Sequence, residues 1–149
     1  MADLVRVFVD TSAWLALANR NDPYHDAAVH FHHQLNPRTA RVTSWGVVAE
    51  TYTWLRYHTG YRQAERWLQE EAAAESRGFL EVVFPVPAME VSVRRNLGRF
   101  ADQNLSYVDA FSVYVVESRA DIDAIFAFDH HLAVVGVPVL PGPLRQRPT

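Results

Sequence analysis

Four acidic residues in this sequence each follow or interrupt an apolar run, and together they could bind a hard cation. They are Asp10 after VRVFV, Glu50 in SWGVVAETYTWL, Asp109 in LSYVDAFSVYVV and Asp129 after IFAF. An isolated charge in apolar sequence is costly unless it is paired or binds a metal. Carboxylates that converge without cysteine or lysine partners are typical of a Mg²⁺ site. The four residues therefore indicate metal-dependent chemistry on a phosphate group.

Alternating strand and helix patterns place the four acids on one side of a predicted sheet. Short apolar, β-branched runs predict strands over residues 5–9, 41–43, 79–84, 124–128 and 137–140. Capping residues and helical segments between them predict helices over 12–21, 24–35, 45–59, 61–77, 88–100 and 107–119. We therefore expect an α/β fold whose parallel strands present their carboxyl ends at one edge. Asp10 and Asp129 emerge at that edge. Glu50 lies in the second turn and Asp109 in the first turn of helices that begin there.

Helix capping is an alternative role for three of the four acids. Asp10 and Asp129 could each be an N-cap, and the spacing of Ser106 and Asp109 resembles a capping box. Glu50 is different, because it lies beyond the capping turn among apolar neighbours. A buried, unpaired Glu is expected to be neutral or to bind a cation.

Other polar and aromatic residues have two open roles each. Thr11 and Ser12 either cap a helix or position a metal-bound water. His130 or His131 could touch substrate beside Asp129. The seven histidines show no zinc-binding spacing, which favours ordinary surface or half-buried positions. The four tryptophans lie in predicted helices, where core packing is favoured over stacking on bases. Three clustered arginines favour a solvated helix face over phosphate binding: Arg94, Arg95 and Arg99.

Length and composition are those of one ordinary globular domain. The 149 residues are enough for a hydrophobic core, so we expect a single domain over 1–149 with a flexible tail at about 141–149. The absence of cysteine excludes disulfides and thiolate metal sites and fits a reducing compartment, so we expect a cytoplasmic location. No secretory signal pattern or membrane-length apolar run is present. The net charge of -3 does not by itself indicate a nucleic-acid binder.

Taken in order, the four acid-bearing segments resemble those of PIN-domain ribonucleases, and most closely the VapC toxins of bacterial toxin–antitoxin pairs. The likeness runs from VFVDTSAWLAL through SWGVVAETYTWL and ADQNLSYVDAFSVYVVE to IFAFDHHLAVVGVPVL. It implies a PIN-like, Rossmann-like α/β/α sandwich with a mostly parallel sheet of four to five strands. It also implies an acidic quartet that holds Mg²⁺ or Mn²⁺, formed by Asp10, Glu50, Asp109 and Asp129.

The resemblance further implies an activity and partners. Metal-dependent hydrolysis of RNA phosphodiester bonds would leave 5′-phosphate and 3′-hydroxyl ends. The implied partners are an RNA substrate (tRNA, rRNA or mRNA), a cognate VapB-like antitoxin that blocks the site, and a second copy in a homodimer. Asp102, just before the third acidic segment, is a further candidate site residue. Ala127 and Leu132 replace the Thr and Phe common around the last acid, and His131 stands where some members carry another acid.

Two other functions compete with this one. A PIN-like module that binds RNA or protein without turnover is suggested by the departures around Asp129. A phosphoryl-transfer domain with Asp10 as nucleophile is disfavoured, because Ser12 stands where the second acid of a DxD motif is expected. Metal-dependent cleavage that vanishes in an Asp10→Asn variant separates the nuclease from both alternatives.

Overall fold

The computed structural model describes residues 3–144 and contains a five-stranded parallel sheet flanked by helices. The strands are β1 (Arg6–Val9), β2 (Ala40–Ser44), β3 (Leu80–Val83), β4 (Ala124–Ala127) and β5 (Val139–Pro141). The helices are α1 (Thr11–Ala18), α2 (His25–Gln34), α3 (Trp45–His58), α4 (Tyr61–Ser76), α5 (Glu90–Arg99) and α6 (Tyr107–Glu117). The strand order is β3-β2-β1-β4-β5, with every neighbouring pair parallel. The predicted fold class is confirmed.

Side chains along the central strands alternate between two apolar layers. Phe8 and Ile125 pack with α5 and α6, whereas Val7 and Phe126 pack with α1 and α2. This period of two is the one that a strand buried on both faces requires. The sheet is therefore the middle layer of an α/β/α sandwich. Within residues 3–144, no helix combines the length and the apolar character that crossing a membrane would need.

The start of α3 brings two of the predicted site helices together. Ser44 ends β2 and caps α3, because its Oγ accepts the backbone N–H three residues on at 3.2 Å. Gly46 in the first turn lies against α6, where an added Cβ would be 3.1 Å from a methyl carbon of Val108. A side chain at this position would require the Val108 side chain to shift. The close approach places Glu50, one turn further along α3, beside the turn of α6 that carries Asp109.

The six predicted helices are present with small differences at their ends, and the limits of α1 and α5 have a local cause. α1 stops at Ala18 rather than at residue 21, because the Asn19 side chain accepts the backbone N–H of Asn21 at 3.1 Å and forms a local turn. The predicted helix over 88–100 is divided into a 3₁₀ turn (Pro87–Met89) and α5, which begins at Glu90. Local side-chain and proline geometry sets both limits.

The carboxyl-terminal part of the described chain also differs from expectation. A 3₁₀ turn over His131–Val134, which the sequence did not predict, follows β4. β5 extends to Pro141, so the first residue of the predicted tail 141–149 belongs to the sheet. Residues 145–149 of that tail lie outside the described part of the chain.

The tryptophans divide between the core and the surface. Trp67 is buried and meets Trp14 edge to face, with ring centroids 6.0 Å apart, so core packing is confirmed for this pair. Trp54 stacks on His58 at 4.0 Å. The prediction of core packing is wrong for Trp45, whose side chain is 49% exposed at the first position of α3.

We expect Phe126→Ala to destabilise the protein by about 3–5 kcal/mol, because it leaves a cavity in the centre of the sheet. Phe126 is 1% exposed and its ring centroid lies 4.6 Å from that of Phe31 on α2. Phe79→Ala is the matched control, since Phe79 is 64% exposed. Urea unfolding of both variants measures the difference. Equal losses of stability would contradict the assignment of Phe126 to the core.

Candidate metal centre

Asp10 is held at the carboxyl end of β1 by pairing with the neighbouring strand. Its backbone N–H donates to the carbonyl oxygen of Phe126 at 3.0 Å. The residue occupies the N-cap position of α1, yet its side chain makes no capping hydrogen bond. The side chain is 4% exposed. The capping alternative is therefore wrong for this carboxylate, which stays available to bind another group.

Glu50 is oriented by a hydroxyl group from α1. Thr11 donates from Oγ1 to Glu50 Oε2 at 2.9 Å, across 39 residues of sequence. Glu50 is half-buried, and in the described part of the chain no arginine or histidine forms an ion pair with it. Neither open role of Thr11 describes this contact: the hydroxyl fixes one carboxylate oxygen and leaves the other accessible to a ligand.

Ser12 has a structural role that the sequence did not suggest. Its Oγ accepts the backbone N–H of Phe128 at 3.0 Å. This bond joins the first turn of α1 to the end of β4, one residue before Asp129. Ser12 therefore keeps the two strand ends that carry acids side by side.

Asp109 combines a capping role with a place among the other acids. Its backbone N–H donates to Ser106 Oγ at 3.0 Å, and its Oδ2 accepts the backbone N–H of Ser106 at 3.0 Å. The capping box predicted from sequence is thus confirmed. His131 Nδ1 lies 3.8 Å from the same Oδ2 atom. A carboxylate has two oxygens with about four acceptor positions, so capping leaves Oδ1 available to a cation.

Asp129 and His131 form the outer side of the cluster. Asp129 Oδ1 accepts the backbone N–H of His131 at 3.1 Å, a local turn that leads into the 3₁₀ turn. The imidazole Nδ1 is 3.9 Å from Asp129 Oδ1 and 3.8 Å from Asp109 Oδ2, beyond hydrogen-bond distance of both. The His131 side chain is 49% exposed. It lies between two acids at the solvent side of the site, where a substrate can approach it.

The four carboxylates interact electrostatically. Burial raises the pKa of Asp10 to about 8, and repulsion from Asp129, then from Asp109 and Glu50, adds to the increase, while the backbone N–H of Thr11 opposes it. Burial also raises the pKa of Glu50, with a further contribution from Asp109 and an opposing one from the Thr11 hydroxyl. Asp10 therefore lies within range of the charges of the other three acids, and Glu50 within range of that of Asp109.

The chemistry of the donors fits a divalent cation of the Mg²⁺ class. Hard cations prefer carboxylate oxygens, and a cation would relieve the repulsion that raises the pKa of Asp10. Within residues 3–144, no three acidic or histidine side chains already form a group of metal-binding geometry. The site therefore supplies suitable ligands without a preformed cage around one point.

Asp102 and the arginine cluster form their side-chain bonds with residues other than the four acids. Asp102 is exposed and accepts a hydrogen bond from the side chain of Gln103 at 3.3 Å. Arg94 pairs with Glu90 at 2.9 Å and Arg99 pairs with a glutamate of α6. These contacts agree with a solvated helix face rather than a phosphate site.

A cleft beside Glu50 is part of the site that sequence reasoning missed. Its volume is about 540 Å³, and its lining includes Thr11, Glu50, Trp45, Tyr57 and Val108. Trp45 and Tyr57 are exposed. They lie on one face of α3 with Ala49 and Thr53 between them, at intervals of four residues. That spacing was visible in the sequence, but periodicity alone does not show whether a helical face is covered.

Comparison with known proteins agrees with this geometry. The PIN domain family pattern matches residues 7–138. The chain is 31% identical over 130 residues to the 23S rRNA-specific endonuclease VapC20 of Mycobacterium tuberculosis, in strains CDC 1551 / Oshkosh and ATCC 25618 / H37Rv. Each alignment covers 87% of this chain and 94% of the relative.

A solved structure shows the same likeness in three dimensions. The crystal structure of M. tuberculosis VapC20, described as a sarcin–ricin loop cleaving toxin, superimposes with a TM-score of 0.76 at 30% identity. The match covers 88% of this chain and 95% of that one. The resemblance to VapC toxins drawn from the four acidic segments is confirmed, and the chain belongs to the PIN-domain family.

Proposed function

We propose that this protein is a metal-dependent endoribonuclease that hydrolyses RNA phosphodiester bonds and serves as the toxin of a toxin–antitoxin pair. The observation that carries the proposal is the buried Asp10 carboxylate, which faces three other acids at the carboxyl edge of the sheet. The family and the 31% identity to an rRNA endonuclease support the same activity.

The acidic quartet would hold Mg²⁺ or Mn²⁺ through the side chains of Asp10, Glu50, Asp109 and Asp129. When bound, such an ion lowers the pKa of water and offsets negative charge at the phosphate. The chain orients three of these ligands by donors to one oxygen each: the Thr11 hydroxyl and the backbone N–H groups of Ser106 and His131. Partners of this kind fix a ligand's direction and raise metal affinity.

The proposed substrate is ribosomal RNA. Three kinds of RNA target were open from the sequence, and the relative named as a 23S rRNA-specific endonuclease favours rRNA among them. The exposed aromatic side chains Trp45 and Tyr57 beside Glu50 offer faces on which unpaired bases could stack. We propose 23S rRNA as the first target to test.

The proposed partners follow from the family. They are a VapB-like antitoxin that covers the site and a second copy of the chain in a homodimer, with both proteins acting in the cytoplasm. Large apolar side chains are exposed beyond β3 and on α5, among them Phe84, Val86 and Val91. Exposed apolar surface of this kind is a candidate protein–protein interface.

The alternative of an inactive binding module is weakened by where the unusual residues lie. Ala127 and Leu132 are fully buried, so these departures from the family pattern change packing rather than ligands. The relatives with assigned activity are nucleases. Phosphoryl transfer through Asp10 is weakened too, because Ser12 bonds the backbone of Phe128 and supplies no second acid.

Purified protein freed from any partner should cut 23S rRNA in Mg²⁺ or Mn²⁺ and should stop cutting in EDTA. Asp10→Asn should lower the rate by more than the roughly 10–100-fold typical of losing a ligand's hydrogen-bond partner. Gel analysis of total RNA and of a tRNA pool identifies the RNA that is cut and the ends of its cleavage fragments. A folded Asp10→Asn protein that cuts at the wild-type rate would refute the assignment.

In the absence of metal, Asp10→Asn should raise the unfolding temperature at alkaline pH. The folded pKa of Asp10 is about 8 against 3.8 for the free group, so the wild type loses stability as pH rises between these values. The neutral Asn avoids that loss, and each 1 kcal/mol moves the Tm of a domain this size by roughly 2–4 °C. We would measure thermal unfolding in EDTA from pH 4 to 9. The Tm of Asp10→Asn should exceed that of the wild type by a difference that grows until about pH 8 and then stays constant.

Two controls define this result. Asp102→Asn changes an exposed acid outside the site and should follow the wild type across the pH range. Added Mg²⁺ should stabilise the wild type but not Asp10→Asn, because only a protein that binds the ion gains stability from it. An Asp10→Asn variant less stable than the wild type at pH 8 would show that the fold already compensates the Asp10 charge.

Thr11→Val should weaken Mg²⁺ binding about 10-fold, since it removes the hydroxyl that orients Glu50 while keeping the branched shape. Thr11→Ser keeps a hydroxyl group and is the matched control. Calorimetric titration with Mg²⁺ measures both affinities. Equal affinities for the Val and Ser variants would limit the Thr11 hydroxyl to a role in the fold.

A further inference from the structure

A groove lined by three arginines lies at the far end of α1 from Asp10. Arg20 follows α1, and Arg62 and Arg66 lie one turn apart near the start of α4. The groove has a volume of about 790 Å³. Its other polar lining residues are Asn19, Asn21, Thr59, Gln63 and Glu70. We call this surface the arginine groove.

The backbone of the arginine groove is fixed before any ligand arrives. Gln63 donates from Nε2 to the carbonyl oxygen of Ala18 at 3.0 Å, which ties α4 to the end of α1. Trp67, also in the lining, is buried and packs edge to face on Trp14. Gly60 turns the chain between α3 and α4 with a φ of 95°, a conformation that favours glycine. The walls are therefore set by helix packing.

Three arginines and one acid, Glu70, line the arginine groove, so its lining has a net positive charge on a protein of net charge -3. Arg20, Arg62 and Arg66 are exposed, and within residues 3–144 none of them forms an ion pair. Arg94 and Arg99, by contrast, are paired with glutamates. The planar guanidinium group binds phosphate oxygens in pairs, and three such groups in one groove suit a polyanion.

The arginine groove and the cleft that contains Glu50 are neighbours at the end of α3, although they share no lining residue. His58 lines the cleft, and the next residue in the chain, Thr59, lines the groove. Nine residues separate Glu50 from Thr59, which corresponds to roughly 13 Å along a helix. A strand crossing the acidic site can therefore reach the arginines by following α1 and α3.

We propose that the arginine groove binds the sugar–phosphate backbone of the RNA away from the bond that is cut. This inference rests on the proposed ribonuclease function and extends it by naming the residues that hold the substrate. Phosphate contacts fix position and register without reading sequence, so the groove supplies affinity rather than base specificity. The polar, cationic lining favours this ligand over an apolar protein segment, for which the neighbouring cleft is better suited.

The test compares two double variants with the same loss of charge. Arg62→Gln with Arg66→Gln removes two groove arginines, and Arg38→Gln with Arg95→Gln removes two exposed arginines elsewhere. Glutamine forms helices almost as readily as arginine, so the fold of α4 should survive the first change. Both pairs are made in the full chain, in the active protein and in the Asp10→Asn background.

Fluorescence anisotropy with a labelled 23S rRNA hairpin measures affinity in the Asp10→Asn background over a range of salt concentrations. We expect the groove variant to bind roughly ten-fold more weakly, with the salt dependence of log Kd reduced by about 0.7 for each phosphate that the groove no longer neutralises. The control pair should match its parent. In the active protein, the groove variant should raise KM and leave kcat nearly unchanged.

The possible results distinguish failure of RNA binding by the groove from failure of the proposed ribonuclease function. Wild-type cleavage with unchanged affinity and salt dependence in the groove variant would overturn RNA binding by the groove and leave the proposed nuclease function standing. Loss of RNA binding in the groove variant without wild-type cleavage of any RNA would support the groove and refute the nuclease. Absence of RNA binding by the Asp10→Asn parent and the active protein alike would overturn both.

Discussion

The parallel pairing of β1 with β4 is the constraint on which the acidic site depends. The Asp10 N–H bonds the Phe126 carbonyl, and Ser12 accepts the N–H of Phe128, so the ends of the two strands are joined on both sides. Asp10 and Asp129 are then held close enough for their charges to interact, which contributes to the raised pKa of Asp10. The buried sheet and its two apolar layers hold together an arrangement that the carboxylates alone would disrupt.

The hydrogen bonds that fold the site also direct its carboxylates. One oxygen of Asp109 caps α6, one oxygen of Asp129 accepts the backbone N–H of His131, and one oxygen of Glu50 accepts the Thr11 hydroxyl. Each group keeps further acceptor positions for another ligand. Capping and metal binding, which compete as explanations of an acid in a sequence, are therefore compatible in one side chain. Asp10 is the exception, since its side chain has no capping bond and is the most deeply buried of the four.

The sequence predicted the elements and the acids better than it predicted the surfaces. Apolar runs and capping residues located the strands and helices, and strand ends located Asp10 and Asp129, because these signals are local. The exposure of Trp45 was missed, because helical periodicity does not state which face a neighbour covers. The arginine groove was missed because Arg20 and Arg62 are far apart in sequence and meet through the packing of α4 on α1.

The separation of negative and positive surfaces explains how an acidic protein could use an acidic substrate. Four carboxylates at the sheet edge repel a phosphate backbone until a cation offsets their charge. An exposed arginine groove attracts the same backbone at a distance, and salt screens that attraction. Under the proposed function, holding RNA would depend on ionic strength, whereas cutting it would depend on the divalent cation. Because the two surfaces lie at opposite ends of α1, the proposed groove would retain RNA while the acidic site is still without its metal ion.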